Sequence, residues 1–206
     1  MTYWPSYDLH TSALPGRPDK RLDNALDKLN AWKRTSDITI VGLEALRNEQ
    51  MELNLLQHML NHMRGDELKF HLLTRPNNAL AVRLFVLPPN THIEHLPPAV
   101  LSIRVKSDLY IFLLVVGPQD NIDSLQHELN LRKARTVEIP NWLQGLRPEV
   151  KTQINQRLQA IDGEIIQLQQ NLATLNTQYG LADALGDVQQ LEWFLTNITD
   201  LPVTEN

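Results

Sequence analysis

Apolar residues recur at an unbroken four-three spacing from Ile154 to Tyr179. The series consists of Ile154, Leu158, Ile161, Ile165, Leu168, Leu172, Leu175 and Tyr179. Such a strict spacing is typical of a helix that packs against one long partner helix, because a globular core needs a wider apolar face. Pro148 is suited to the first turn, where proline loses no intrahelical hydrogen bond. We predict a helix over 148–185, about 57 Å long at about 1.5 Å per residue.

An earlier stretch, from about Leu43 to Arg64, is the predicted partner of this helix. Its apolar a and d positions are Leu46, Leu53, Leu56, Leu60 and Met63. Glu49 occupies one d position, and Gly65 is suited to end the helix. Before this stretch we predict a separate helix over 19–33 and an interruption over 35–42, where β-branched residues and a glycine break the pattern.

Between the two long helices the periodicity changes to that of strands. We predict strands over 80–87, 100–105, 109–116 and 135–139, and a helix over 121–131 with Ile122, Leu125 and Leu129 inward. The 109–116 run is continuously apolar, as is typical of a central strand buried on both faces. The short Ser107-Asp108 connection predicts that this strand and the preceding one form a hairpin.

These elements predict an α+β fold in which a long antiparallel helical hairpin, a coiled coil, carries a small α/β lobe at its tip. Residues 1–66 would form a lead-in and the outgoing helices, 67–147 the distal α/β lobe, and 148–206 the return helix and a tail. The residues Trp142, Leu143 and Leu146 come just before the return helix. They either staple the lobe to that helix or form an exposed partner patch.

Charge and composition exclude several classes of function. The net charge is -5, and the densest basic stretch holds only Arg132, Lys133 and Arg135, so we expect no nucleic-acid partner. The chain has no cysteine, which excludes disulfides, thiolate metal sites and a cysteine nucleophile. The longest purely apolar run, 109–116, is far shorter than the ~20 residues that a membrane-spanning helix needs.

The residues that could support catalysis or metal binding do not form a recognisable site. The sequence has no phosphate-binding glycine loop and no G-x-S-x-G nucleophile elbow. His58 and His62 have the spacing of two metal ligands on one helix face, but Met59 replaces the glutamate of an H-E-x-x-H motif. His92, Glu94 and His95 are more typical of a solvated loop. We expect no catalytic residue, no cofactor and no metal.

Several stretches resemble the cytoplasmic half of the membrane-anchored stator subunit of V-type and A-type rotary ATPases, called subunit I or a. LEALRNEQMELNLLQHMLNHM is similar to its outgoing hairpin helix. LAVRLFVLPPN, SDLYIFLLVV and RTVEIPNWLQGLRPEV are similar to its lobe strands and to the start of its return helix. INQRLQAIDGEIIQLQQNLATLNTQYGLADAL is similar to the return helix itself. The resemblance covers about 19–200 and follows element order rather than a catalytic motif.

The resemblance implies a non-catalytic stator arm of a proton- or sodium-translocating rotary ATPase, at the cytoplasmic face of a membrane. The distal lobe would bind the peripheral-stalk E and G subunits, alongside other subunits of the complex. The chain departs from the family because the opening strand and helix of the proximal lobe are missing and no membrane half follows Asn206. We therefore expect a soluble fragment that would reach the membrane only through a missing C-terminal half.

Two other classes of function stay open at this point. A coiled-coil adaptor or scaffolding protein unrelated to rotary ATPases would self-associate through the 148–185 seam. A small-ligand-sensing α/β domain on a helical hairpin would need a concave pocket with converging polar groups.

Overall fold

A computed structural model of the chain describes residues 18–64, 70, 80–93 and 96–197. The helices whose bounds lie within these residues are α1 Pro18–His62, α2 Gln119–Leu131, α3 Arg147–Gln178 and α4 Leu181–Asn197. Its strands are β1 Ala81–Leu87, β2 Leu101–Lys106, β3 Ile111–Gly117 and β4 Arg135–Val137. The fold is α+β and rich in helix, with one four-stranded antiparallel sheet.

The chain divides into two compact units, to which α1 and α3 both contribute residues. The helical unit consists of Met1–Leu46 and Gly163–Asn206. The sheet unit consists of Arg47–Asp162. The predicted irregular lead-in, the helix stop at Gly65 and the loop residues Glu94 and His95 lie outside the described residues.

The sheet of the sheet unit has the strand order β2-β3-β1-β4. The predicted hairpin is confirmed, since β2 and β3 pair antiparallel with Lys106 opposite Ile111. The predicted central strand is also confirmed, because β3 lies between β2 and β1 and its first five residues are buried. The last predicted strand is shorter than expected: β4 ends at Val137.

One face of this sheet packs against α2. Alternate residues of β1 and β3 point to that face, among them Phe85, Leu113 and Val115. They meet the three residues predicted to face inward from α2, Ile122, Leu125 and Leu129, each at most 2% exposed. Full burial of one such side chain contributes about 1.5–3 kcal/mol, so this layer contributes substantially to the stability of the sheet unit.

The helical unit packs the first half of α1 against α3 and α4 around a separate core. That core contains Trp32, Leu43, Leu172 and Leu181. The indole Nε1 of Trp32 donates a hydrogen bond to Asn176 Oδ1 at 2.7 Å, so the buried ring keeps its polar atom satisfied. The Arg21 guanidinium pairs with the Asp187 carboxylate and joins α1 to α4.

The predicted interruption over 35–42 is wrong, because α1 runs unbroken through it. Thr35 Oγ1 donates to the Ala31 carbonyl at 3.0 Å within the helix, a bond that a threonine can make without ending it. Gly42 faces α3 so closely that a Cβ there would lie 3.3 Å from Leu168 Cδ1. The glycine therefore serves helix packing, and tertiary contact outweighs its low intrinsic propensity.

The predicted single helix over 148–185 is also wrong at its C-terminal end. α3 ends at Gln178 and α4 begins at Leu181. Gly180 between them has a φ of +57°, the left-handed conformation that commonly ends a helix and that glycine adopts without steric cost. The seam spacing continues past the end of α3 to Tyr179, and periodicity alone carries no signal for a residue in the left-handed conformation.

Candidate functional site

The predicted seam residues of α1 are mostly buried within the unit to which each belongs. In the sheet unit, Leu53, Leu56 and Leu60 are fully buried and Met63 is nearly so. In the helical unit, Leu46 is half-buried. Met59, which does not belong to the predicted a/d spacing, is also buried. The apolar face of α1 in the sheet unit is thus wider than a strict coiled-coil stripe.

The predicted seam residues of α3 vary more in burial. Ile154, Ile161 and Leu172 are buried. The half-buried members are Leu158, Ile165, Leu168, Leu175 and Tyr179. Leu168, Leu175 and Tyr179 pack at the margin of the Trp32 core of the helical unit.

Polar side chains join α1 and α3 within the sheet unit. The Arg157 guanidinium donates two hydrogen bonds of 2.7 Å to the Glu49 carboxylate. Gln50 Nε2 donates to Asp162 Oδ1 at 2.7 Å, and Gln57 Nε2 donates to Asn155 Oδ1. From Gln50 to Gln57 along α1, the contacted residue on α3 changes from Asp162 to Asn155, so the two helices are antiparallel within this unit.

The Glu49–Arg157 pair explains the one charged d position in the predicted seam. The sequence places Glu49 at a d position but does not by itself assign its partner. A carboxylate in an apolar seam needs an opposite charge on the facing helix, so a basic residue beside the seam of that helix is the expected partner. Arg157 directly precedes the seam residue Leu158 and supplies that charge.

A cleft of about 720 Å³ opens where β4 ends beside β1. Its lining includes Glu52 of α1, Gln126 of α2 and Glu138, which follows β4. An Arg135 Nη2 lies 3.8 Å from the Glu52 carboxylate. Burial raises the pKa of Glu52 above its ordinary value; the cation of Arg135 opposes this shift, and the carboxylates of Glu138 and Glu49 reinforce it.

The described lining of this cleft contains no aromatic ring against which a small molecule could stack. Ligand pockets are mainly apolar, with a few placed polar groups, whereas this lining includes two carboxylates, of Glu52 and Glu138, and several side-chain amides. The cleft therefore does not favour the ligand-sensing hypothesis.

His58 and His62, the predicted pair at metal-ligand spacing, stack on each other with ring centroids 4.5 Å apart. His58 also contacts Phe112 of β3 and Tyr110, which lies just before β3, with ring centroids 5.7 and 5.9 Å away. Burial lowers the pKa of His58 and the neighbouring His62 lowers it further, while Asp108 opposes the shift. Within the described ranges no three potential ligands come together, and the pair serves as an aromatic contact.

The segment before α3 contains the predicted partner patch of Trp142, Leu143 and Leu146. Leu143 is fully buried, while Trp142 and Leu146 are both about two-fifths exposed. The Leu146 N–H donates to Glu149 Oε2 at 2.8 Å, a capping contact at the start of α3. Leu143 thus packs inward, and of the three predicted residues only Trp142 and Leu146 expose apolar surface.

No family model and no curated protein matches the chain. The chain is similar to a solved structure described as "Crystal structure of the cytoplasmic N-terminal domain of subunit I, homolog of subunit a, of V-ATPase". The two share 11% sequence identity over 85% of this chain and 68% of that chain, with a TM-score of 0.41. A likeness of this extent carries no conclusion about function. Across the described residues, every helix is too short or too polar to cross a bilayer.

Proposed function

We propose that the chain is a non-catalytic, structural stator arm of a proton- or sodium-translocating V/A-type rotary ATPase, linking the membrane sector to peripheral stalks made of E and G subunits. The observation that carries the proposal is the antiparallel pairing of α1 with α3 in each unit. The resemblance of the sequence to subunit I supplies the link to a rotary motor.

The pairing runs in the same sense in both units. In the helical unit, Trp32 contacts Asn176, and Gly42, ten residues further along α1, faces Leu168. In the sheet unit, Gln50 contacts Asp162 and Gln57 contacts Asn155. We infer that α1 and α3 form one long antiparallel hairpin whose connection contains the sheet.

Such a hairpin suits a stator. Two helices fastened side by side by buried leucines and by polar cross-links resist bending better than one helix, because bending requires the helices to slide past each other. A stator transmits torque between fixed points and needs no catalytic group. The sheet between the two helices would be the element that contacts the E and G subunits.

The test is binding of the full chain to a purified E–G peripheral-stalk heterodimer, followed by biolayer interferometry. We expect saturable binding with a Kd below about 100 μM, equivalent to about 5.5 kcal/mol. An unrelated coiled-coil heterodimer of similar length and net charge is the matched control and should not bind. Equal binding to both heterodimers, or no binding at that concentration, contradicts the stator proposal.

A coiled-coil adaptor is the second candidate, favoured by one observation on α1. Ile38 and Val41 are both strongly exposed and lie three residues apart, so they share one helix face within the helical unit. An adaptor would bury this face against another helix. Sedimentation equilibrium gives the average molecular mass in solution of the full chain and of its Ile38→Asp variant. An adaptor that self-associates through this face should have a lower average mass after the substitution, whereas a stator arm should show no change.

A further inference from the structure

β2 lies at one edge of the sheet and is exposed along most of its length. Its one partner among the described strands is β3. Four consecutive residues, 101–104, are exposed, and Leu101 and Ile103 keep 76% and 44% of their surface accessible. An edge strand leaves every second main-chain N–H and C=O unpaired, so it can accept a further strand.

The two faces of β2 have different chemistry. The register places Leu101 beside Val116 and Ile103 beside Leu114, on the face that also bears Phe112 and its contact with His58. It places Ser102, Arg104 and Lys106 on the opposite face, the one that packs against α2. A strand added to this edge would therefore meet an apolar row on one face and a cationic row on the other.

Arg132, the residue that follows α2, lies close to this cationic row. Arg104 donates to the Ile93 carbonyl at 3.4 Å, and Arg132 donates to the adjacent His92 carbonyl. The two guanidinium groups thus converge on neighbouring residues of one segment. Arg132 is paired with Glu128, but neither Arg104 nor Lys106 forms an ion pair with any described residue. The row therefore presents positive charge that a partner can neutralise.

This pattern favours an acidic partner over a second copy of β2. Directly opposed residues of an antiparallel pair share one face, so a register centred on Arg104 would oppose two arginines. A register centred on Ile103 avoids that contact but still brings Arg104 and Lys106 of both copies onto one face. An acidic strand would replace this repulsion by attraction while making the same main-chain hydrogen bonds.

We propose that β2 is a docking edge for an extended acidic segment of a partner protein, which binds by strand addition. Acidic side chains of that segment face Arg104 and Lys106, and the alternate, apolar side chains face Leu101 and Ile103. The docking edge does not depend on the stator proposal, since it follows from the exposure, register and charge of β2 alone.

The probe is a fluorescein-labelled peptide of about eight residues with alternating glutamate and valine, long enough to pair with the whole strand. Its binding to the full chain is measured by fluorescence anisotropy at about 50 mM salt, where charge attraction is weakly screened. Two control peptides contain the same numbers of glutamate and valine. In the first, the glutamates and valines form two blocks, which removes the alternation; in the second, the main-chain nitrogens along one edge are N-methylated, which removes the hydrogen-bond donors. Both controls should bind more weakly than the alternating peptide.

The charge variant is Arg104→Glu with Lys106→Glu, and we expect it to weaken binding at least about tenfold. Its matched control is Lys33→Glu with Arg34→Glu, which makes the same change in net charge at two exposed positions of α1. The control should change the affinity less than about twofold. Far-UV circular dichroism of both variants verifies that each remains folded.

Several results would overturn the proposal. One is the absence of saturable binding of the alternating peptide up to about 1 mM. If both double variants weaken binding equally, the effect comes from net charge and not from the position of Arg104 and Lys106. If the N-methylated or the block peptide binds as tightly as the alternating peptide, strand addition is excluded. Self-association of the chain that Ile103→Asp abolishes would assign the edge to a second copy.

Discussion

The ion pair between Glu49 and Arg157 offers a quantitative test of the α1–α3 contact in the sheet unit. The two side chains are 31–32% exposed and are joined by two hydrogen bonds of 2.7 Å. A double-mutant cycle with Glu49→Ala, Arg157→Ala and the double variant isolates the coupling between them. It removes the separate cost that each truncation imposes on its surroundings.

The expected coupling follows from the geometry. Exposed ion pairs contribute about 0.2–1 kcal/mol, and removal of one partner from a fully buried pair costs about 3–5 kcal/mol. The Glu49–Arg157 pair is half-buried and bidentate, which makes it stronger than a surface pair but keeps its desolvation cost moderate. We therefore expect a coupling free energy of about 1–2 kcal/mol, only weakly reduced by salt.

The coupling is measured by urea unfolding of the four proteins, followed by far-UV circular dichroism with matched slopes. The Glu128–Arg132 pair is the control, because it joins the last turn of α2 to the residue that follows it and its side chains are more exposed, at 52% and 39%. Its coupling should stay below about 0.5 kcal/mol. A Glu49–Arg157 coupling no larger than that of the control would refute the contact between the two helices.

Three further predictions concern single residues. Leu60→Asp should cost about 3 kcal/mol or more in urea unfolding, because Leu60 is fully buried and the carboxylate would have no partner; a neutral effect would place Leu60 on the surface. Gly42→Leu should lower stability by about 1–3 kcal/mol through collision with Leu168, whereas Gly163→Ala, where a Cβ meets open space, should be neutral or stabilising by up to about 1 kcal/mol. Equal effects at both glycines in thermal unfolding would contradict the close approach at Gly42. Burial raises the pKa of Glu52 in the folded state, so the folded state binds this proton more tightly and stability falls as the pH rises past the ordinary pKa of a glutamate. Glu52→Gln should abolish this part of the pH dependence, and an unchanged stability-pH profile would disprove it.

The sequence predicted the sheet unit better than the helices. The strands and α2 were found because alternation, buried apolar runs and the Gly117-Pro118 boundary are local signals. The unbroken course of α1 was missed because Gly42 acts through contact with Leu168, which lies 126 positions away in the chain. The end of α3 was missed because an a/d spacing does not report the left-handed conformation of Gly180.

The candidate surfaces depend still more on tertiary structure. The strand predicted over 100–105 is present as β2, but only Val105 of its residues is buried. The order of strands decides this, since it leaves β2 at an edge, and strand order has no local signature. In the same way, the role of Leu143 as an inward contact follows from its burial and not from its apolar character, which it shares with exposed Leu146.

The most direct test of the proposed hairpin uses paired cysteines, which the chain's lack of native cysteine makes straightforward. Gln50, Gln57, Asn155 and Asp162 are replaced in pairs, and intramolecular crosslinking by a short bismaleimide is timed on dilute protein. If α1 and α3 are antiparallel, cysteines at 50 and 162 and at 57 and 155 should crosslink fast. The exchanged pairs, 50 with 155 and 57 with 162, are offset along the helices by about 10 Å and should react at least about tenfold more slowly. Exchanged pairs that crosslink as fast or faster would contradict the hairpin.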